Sequence, residues 1–307
     1  MGLGKALIGD VKHVEGKKVL ILDWKNQEFR FLHVAHANNP LDLEWLDWQY
    51  FMINMVYGYV RKFKPDQLII CNDLGGNWRK DVYPEYKGTR KKGRDESPID
   101  FDSFFAAAKP FYEGIKEMFT NVYFMGKEGY EADDFIGVIV KELAGNDITV
   151  VTTDKDMYQL HKHKGYKQFN PIKKQYVKVM GSPVKFAEKE LFVKLLTGDS
   201  SDNIPQVKKK MGPKTAEKYM DKLEELLSED IEIRQKYELN KRLIDMEMIP
   251  KEIQEDIKDI YYNYEFSPYS GRKVYDYLAN RLPKTLSYIQ EINGAFTGLK
   301  SYEELQR

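Results

Sequence analysis

With Cys71 as its only cysteine, the 307-residue chain has no intrachain disulfide and no cysteine zinc site. A reducing, intracellular compartment fits. No apolar run approaches the roughly 20 residues that a membrane-spanning helix needs, so a membrane partner is not expected. The opening Met-Gly-Leu-Gly-Lys-Ala lacks a signal-peptide core, and Ala6 stands where a myristoylation signal carries Ser or Thr. A cytoplasmic location is the expectation. Net charge is also missing: Lys plus Arg and Asp plus Glu are both 48, so the total does not announce a polyanionic partner. There is no internal repeat, long linker or low-complexity tail.

What is there is a soluble composition, 42% hydrophobic and 31% charged, enough for a sizeable core in one or two domains. The charge is segregated. Arg79, Lys80, Lys87, Arg90, Lys91, Lys92 and Arg94 crowd one stretch, residues 155–218 are rich in lysine, and acidic residues dominate after about 221. Such stretches permit a local phosphate footprint, although any single run reads first as a solvated face.

Three β-branched-rich runs share an ending. Lys18-Val19-Leu20-Ile21-Leu22 leads into Asp23, Leu68-Ile69-Ile70-Cys71-Asn72 into Asp73, and Ile148-Thr149-Val150-Val151-Thr152-Thr153 into Asp154. A fourth run, Val122–Met125, precedes the acidic group Glu131-Ala132-Asp133-Asp134. Near-continuous apolar runs separated by helical spacing over 45–62, 100–119 and 131–144 predict buried parallel strands. The order implies an α/β fold: a mostly parallel central sheet with helices on both faces. Residues 168–170 and 175–179 flank Pro171–Lys174 and predict a hairpin; after Pro183 the chain reads as mainly helical.

Ligands in such sheets bind beyond the carboxyl ends of the strands, so three strand-end aspartates would meet at one rim. Read alone, Glu131–Asp134 is a capped helix start, and the pairs Asp154/Asp156 and Asp199/Asp202 are turns. Together, Asp23, Asp73, Glu131, Asp133, Asp134, Asp154, Asp156, Asp199 and Asp202 repel one another. Either several face solvent or cations gather them. Oxygen donors without cysteine or paired histidine select magnesium, with manganese as a substitute, over zinc. His161 and His163, set among lysines, read as surface residues. Paired ions about 3.5–4 Å apart are a recurring device for phosphodiester hydrolysis.

The segments Tyr83–Arg90, Tyr130–Asp134, Thr153–Asp156 and Thr197–Pro205, in this order, resemble the flap endonuclease or 5′-3′ exonuclease family, which includes the 5′-nuclease domain of bacterial DNA polymerase I. Trp78–Asp81, the Phe169–Lys178 hairpin and the stretch around Tyr261-Tyr262-Asn263 narrow the likeness to the ribonucleases H of T-even bacteriophages. The likeness spans nearly the whole chain and is loose after residue 220.

The resemblance implies a metal-dependent, PIN-like 5′-nuclease domain over 1–184 with a helical arch near 80–105. A helical domain over 185–307 would carry a helix-hairpin-helix-like segment at 199–220. It implies two Mg2+ ions. Asp23, Asp73, Asp133 and Asp154 would hold the first, with Glu131 beside it; Asp134, Asp156, Asp199 and Asp202 would form the second site. Lys87 and Arg90 match the arch residues near the scissile phosphate and join Asp23, Asp73, Asp133 and Asp154 as the expected catalytic set. Arg79, Lys80, Tyr86, Lys91 and Lys92, with Lys208, Lys209, Lys210, Gly212, Lys214 and Thr215, complete the expected nucleic-acid contacts. The hairpin departs from the family pattern in having one glycine and three successive lysines, which puts a bound potassium ion in doubt. Trp24, directly after Asp23, departs too and reads as core.

The activity implied is structure-sensitive 5′-to-3′ exonuclease and flap cleavage of branched or nicked duplex DNA, with RNA:DNA hybrids as further substrates. The setting is primer removal in a phage or its bacterial host. A single-strand-binding protein and a sliding clamp are the partners that setting suggests, and the chain is expected to be a monomer. The rivals are a toxin-type PIN ribonuclease, which leaves 185–307 unexplained, and a junction-binding protein that does not cut, which gains nothing from concentrated negative charge. A haloacid-dehalogenase-type phosphotransferase needs an acid where Lys25 stands.

Overall fold

The computed structural model describes residues 16–306 apart from Leu41 and Leu43; the chain start read above lies outside them. Its centre is a six-stranded sheet in the order β3-β2-β1-β4-β5-β6. The strands are β1 (Lys18–Asp23), β2 (Gln67–Cys71), β3 (Tyr123–Met125), β4 (Asp147–Val151), β5 (Tyr166–Asn170) and β6 (Gln175–Tyr176). All pairings are parallel except β5 with β6, which form the expected hairpin through Phe169↔Tyr176 and Asn170↔Gln175.

The strands are apolar throughout because both faces are covered. Leu20, Leu22, Leu68, Ile70 and Phe124 pack under α1 (Trp24–Asn38), α2 (Leu46–Phe63) and α5 (Phe101–Met118). Val19, Ile21, Ile69, Cys71 and Val150 face α6 (Ala132–Glu142) and the 3-10 helix Asp156–Lys162. Between β2 and α5 lie two short helices, α3 (Arg79–Val82) and α4 (Arg90–Asp95). The α/β class and the two-faced burial expected from the sequence are what the structure has. Trp24 is core, stacked on Phe111 at 6.4 Å between ring centroids.

Two expectations are corrected. Helix α1 was not foreseen, because Gln27 and Glu28 lie on its buried side and blur the apolar spacing. His161 is not on the surface: it sits edge-on to Tyr166 and Phe186, and burial lowers its pKa to about 4.

After β6 come α7 (Pro183–Thr197), the short α8 (Pro213–Ala216), α9 (Leu223–Glu229) and α10 (Ile231–Ile244). Leu195, Leu196, Ile204, Val207, Met211, Leu226 and Leu243 form their own apolar cluster, joined by Tyr86 from the other half of the chain. Then α11 (Lys251–Tyr262), α12 (Gly271–Arg281), α13 (Ile289–Phe296) and α14 (Tyr302–Gln306) return to the sheet. Tyr261 donates to Gln67 Oε1 at 2.9 Å, and Tyr264 Oη accepts from the Phe124 N–H at 3.1 Å. Packing thus runs across the boundary read at residue 184.

Candidate metal centre and nucleic-acid interface

The order of strands puts β2 and β3 on one side of β1 and β4, β5 and β6 on the other. The carboxyl ends of β1 and β4 therefore flank the topological switch point, where an open α/β sheet leaves a crevice. Asp23 ends β1, and the register Leu22↔Val151 sets it beside Thr152, whose hydroxyl donates to Asp23 Oδ2 at 2.8 Å. Its other oxygen accepts from the Asn26 N–H at 3.1 Å, so Asp23 also caps α1. Asp73 follows β2 and accepts from the Ala132 N–H at the start of α6, the helix that carries Asp133. Asp154 follows β4, and its Oδ1 accepts from the Asp156 N–H at 2.8 Å.

These four, with Glu131, line a cleft of about 520 Å³ that also exposes Lys25, Lys87, Arg90, Phe29 and Ile172. A larger groove of about 960 Å³ beside Leu46, Pro110 and Tyr277 has only Glu44 and Asp276 as acids, so size does not mark the chemistry.

The carboxylates divide by whether a protein cation serves them. Among the described residues, Asp23, Asp73, Asp133 and Asp154 form no ion pair with Lys or Arg, whereas Glu131, Asp134, Asp156, Asp199 and Asp202 all do. Burial, helped by the charge of Asp154 and Asp73, raises Asp23 to about 7. Burial with Asp154 and Asp23 pushes Asp133 well up, and burial raises Asp73. Glu131 goes the other way: burial works against its charge, but Lys87 and Arg79 hold it below the usual range. Buried and half-buried carboxylates crowded together without an ion-pair partner are costly and favour protonation or a cation. Hard oxygen donors in this setting fit a divalent ion of the magnesium class. Among the described residues, no three acidic or histidine side chains already close into a ligand shell.

The second group is differently placed. Lys194 of α7 bridges Asp156 Oδ1 at 2.7 Å and Asp199 Oδ2 at 2.5 Å. Asp202 meets Arg90 Nη2 at 2.5 Å and Lys87 Nζ at 3.8 Å. Asp134 is turned away from the cleft and fully buried. It accepts from Trp78 Nε1 at 3.1 Å and the Glu131 N–H at 3.0 Å, and pairs with Arg79 Nη2 at 2.8 Å. Its expected place among metal ligands is not where the structure puts it, because the first turn of α6 aims Asp133 and Asp134 apart.

Arg79 and Tyr86, read as nucleic-acid contacts, are buried. Arg79 pairs with Glu131 at 2.9 Å and donates from Nε to the Leu243 carbonyl at 2.9 Å. The Tyr86 hydroxyl lies 3.1 Å from Glu131 Oε2 and 3.2 Å from Asp202 Oδ2. Lys87, with φ of 57°, puts Nζ on Glu131 and its N–H on the Asp202 carbonyl at 2.9 Å. Lys80, Arg90, Lys91 and Lys92 are exposed, the last three on α4. Lys208, Lys209, Lys210, Lys214 and Thr215 are exposed around the half-buried Gly212, and Lys208 pairs with Glu229.

Three residues of the site carry no signal in sequence. Lys194 is one lysine among many until α7 packs on the Asp156 helix. Asn26 donates from Nδ2 to Thr153 Oγ1 at 2.7 Å and accepts from the Thr153 N–H at 3.1 Å, tying the ends of β1 and β4. Lys25, held by buried Glu28 at 2.8 Å, lines the cleft.

Residues 18–194 match the family model of the 5′-3′ exonuclease N-terminal resolvase-like domain. Ribonuclease H of Enterobacteria phage T4 is 29% identical over 267 residues, covering 79% of this chain and 86% of that protein. A 5′-3′ exonuclease of Bacillus subtilis is 32% identical over 66% of this chain and 64% of its own length. DNA polymerase I of Streptococcus pneumoniae is 31% identical over 67% of this chain, which spans only 24% of that protein. Among solved structures, a bacteriophage T5 5′-exonuclease with bound zinc aligns over 79% of this chain and 97% of its own, with a TM-score of 0.61 at 19% identity. A T5 flap endonuclease complex with DNA and metal ions aligns over the same shares with a TM-score of 0.62 at 19% identity. These two likenesses are of fold.

Proposed function

The chain belongs to the 5′-3′ exonuclease family, and on that premise we propose that it is a structure-sensitive 5′-to-3′ exonuclease and flap endonuclease. Its substrates are branched or nicked duplex DNA and RNA:DNA hybrids, and its products carry 5′-phosphates. The observation that carries this reading is the set of four carboxylates, Asp23, Asp73 and Asp154 at strand ends and Asp133 in the first turn of α6, left without a protein counter-ion in a cleft whose neighbouring acids are all paired. Pure duplex binding gains nothing from such a concentration of negative charge.

In this reading Asp23, Asp73, Asp133 and Asp154 hold one Mg2+, and Asp156, Asp199 and Asp202 hold a second, with Mn2+ able to replace either. The ions supply an activated water and stabilise charge on the attacked phosphate and leaving oxygen. The chain supplies the rest. Thr152 and Asn26 fix the rotamer of Asp23. Glu131, kept ionised by Arg79 and Lys87, keeps Lys87 at the cleft mouth. Lys87 and Arg90 then approach the scissile phosphate and offset its developing charge. The exposed α4 forms the arch over the 5′ strand, and the exposed lysines around Gly212 act as a helix-hairpin-helix-like anchor on the duplex. The ribonuclease H name of the T4 relative supports the hybrid substrate and a role in primer removal.

End-labelled flap, nicked and RNA:DNA hybrid substrates, incubated with and without Mg2+, test the proposal. Cleavage from the 5′ side of all three, dependent on the ion, is expected. Cleavage that persists in excess chelator sinks the metal reading; binding without any cleavage sinks the enzyme.

A further inference from the structure

The second carboxylate group already has a cation in it. Lys194 Nζ takes one oxygen of Asp156 and one of Asp199, the first from the helix after β4 and the second from the turn after α7. The turn is rigid. Gly198 has φ of 65°, and a Cβ there would meet the carbonyl oxygens of Ile204 and Pro205 at 2.4 Å. Asp199 exchanges backbone bonds with Ile204 at 3.0 and 2.7 Å, and its Oδ1 accepts from the N–H and hydroxyl of Ser201 at 2.7 and 2.6 Å. Only Asp199 Oδ2 is left to face Asp156, and Lys194 occupies it. An ion joining Asp156 to Asp199 needs the Asp199 oxygen that the ammonium holds. The lysine is a flexible four-carbon arm, a quarter exposed, while the Asp199 carboxylate is held by Ser201.

We propose that Lys194 is a built-in competitor at the second cation position. Its ammonium bridges Asp156 and Asp199 in the metal-free protein and swings out when a divalent ion enters, which makes this position the weaker of the two. The first position, served by Asp23, Asp73, Asp133 and Asp154, has no such competitor and fills first. This rests on the divalent-ion reading above.

Titration of the full chain with Mn2+, followed by the electron paramagnetic resonance signal of free ion, separates the possibilities. The wild type should show a tighter and a weaker class, and Asp199→Asn should lose the weaker one. Lys194→Met should tighten the weaker class by about tenfold or more, the scale of one charge-assisted hydrogen-bonded contact. In chelator Lys194→Met should melt below the wild type, and saturating Mn2+ should close that gap. Lys194→Gln, which keeps donors but not charge, should tighten the same class if the methionine variant does not fold. An unchanged or weakened second class in either soluble variant overturns the inference while leaving the metal reading intact. A wild type that binds no Mn2+ ends both.

Discussion

At the scale of single residues, burial and the presence or absence of a paired cation set what each ionisable group contributes, and two substitutions test this. Asp154 accepts one backbone N–H and has no Lys or Arg partner. Asp154→Asn should therefore cost cleavage and little stability. Supporting residues of a metal site alone are worth about 10–100-fold, so a loss above about 100-fold in single-turnover rate is expected, with flap affinity measured by anisotropy unchanged or higher. Residual cutting at near wild-type rate removes Asp154 from the site. His161 gives a stability effect. Its folded pKa, about 4, lies below the ordinary 6.5 because burial disfavours the imidazolium. The unfolded chain takes up the proton first, so stability is full above pH 6.5 and is lost as pH falls toward 4, by up to about 3 kcal/mol. Asp23 and Asp156, raised to about 7 and 6, titrate with the opposite sign, so a comparison is needed rather than a single curve. His161→Phe should flatten the wild-type loss between pH 6.5 and 4 in denaturant titrations; parallel curves would show that another group carries it.

At the scale of elements, the site is braced where α3, α6 and α10 meet, and Arg79 is the brace. It pairs with Glu131 and Asp134 at the start of α6 and reaches the Leu243 carbonyl of α10. Arg79→Met leaves buried Asp134 without a cation and Glu131 with Lys87 alone, a change worth about 3–5 kcal/mol. Thermal unfolding should drop accordingly, and Arg79→Met with Asp134→Asn together should cost less than the sum of the single changes. Additive losses would mean the pair is not coupled. This brace also marks the limit of what the sequence revealed. Asp23, Asp73 and Asp154 were legible because each ends an apolar run, and the rules of parallel sheets bring such ends to one rim. Asp133 was legible from its helix start. Arg79 and Tyr86 were misread as surface contacts because a basic run reads as solvated until α10 covers it. Lys194 was invisible for the same reason: its partners lie 38 residues back and five ahead, and only the packing of α7 unites them.

At the scale of the whole molecule, a neutral total hides segregated charge: acids without an ion-pair partner in the cleft, and exposed lysines on a loop beyond it. The exposed group Lys208, Lys209 and Lys210 sits on the loop between α7 and α8, the same segment that carries Asp199 to Lys194 and Asp202 to Arg90 and Lys87. A duplex held there would share one rigid loop with the second cation position. Phosphate contacts release condensed counter-ions, so each contributes about 0.9 to the slope of log affinity against log salt on duplex DNA. Lys208 already pairs with Glu229 across an exposed surface, and breaking that pair to meet a phosphate offsets part of its gain. Replacing all three with alanine should therefore lower the slope by about 2, rather than by the nearly 3 that three free lysines would give. Lys209→Ala with Lys210→Ala should reproduce most of that change, whereas Lys208→Ala alone should do little. Fluorescence anisotropy of a nicked duplex between low and physiological salt, in Ca2+ to prevent cutting, measures it. An unchanged slope in the triple variant would place the duplex elsewhere, on α4 and the exposed Lys80, Lys91 and Lys92. The loop of Asp199 would then serve the cation position alone.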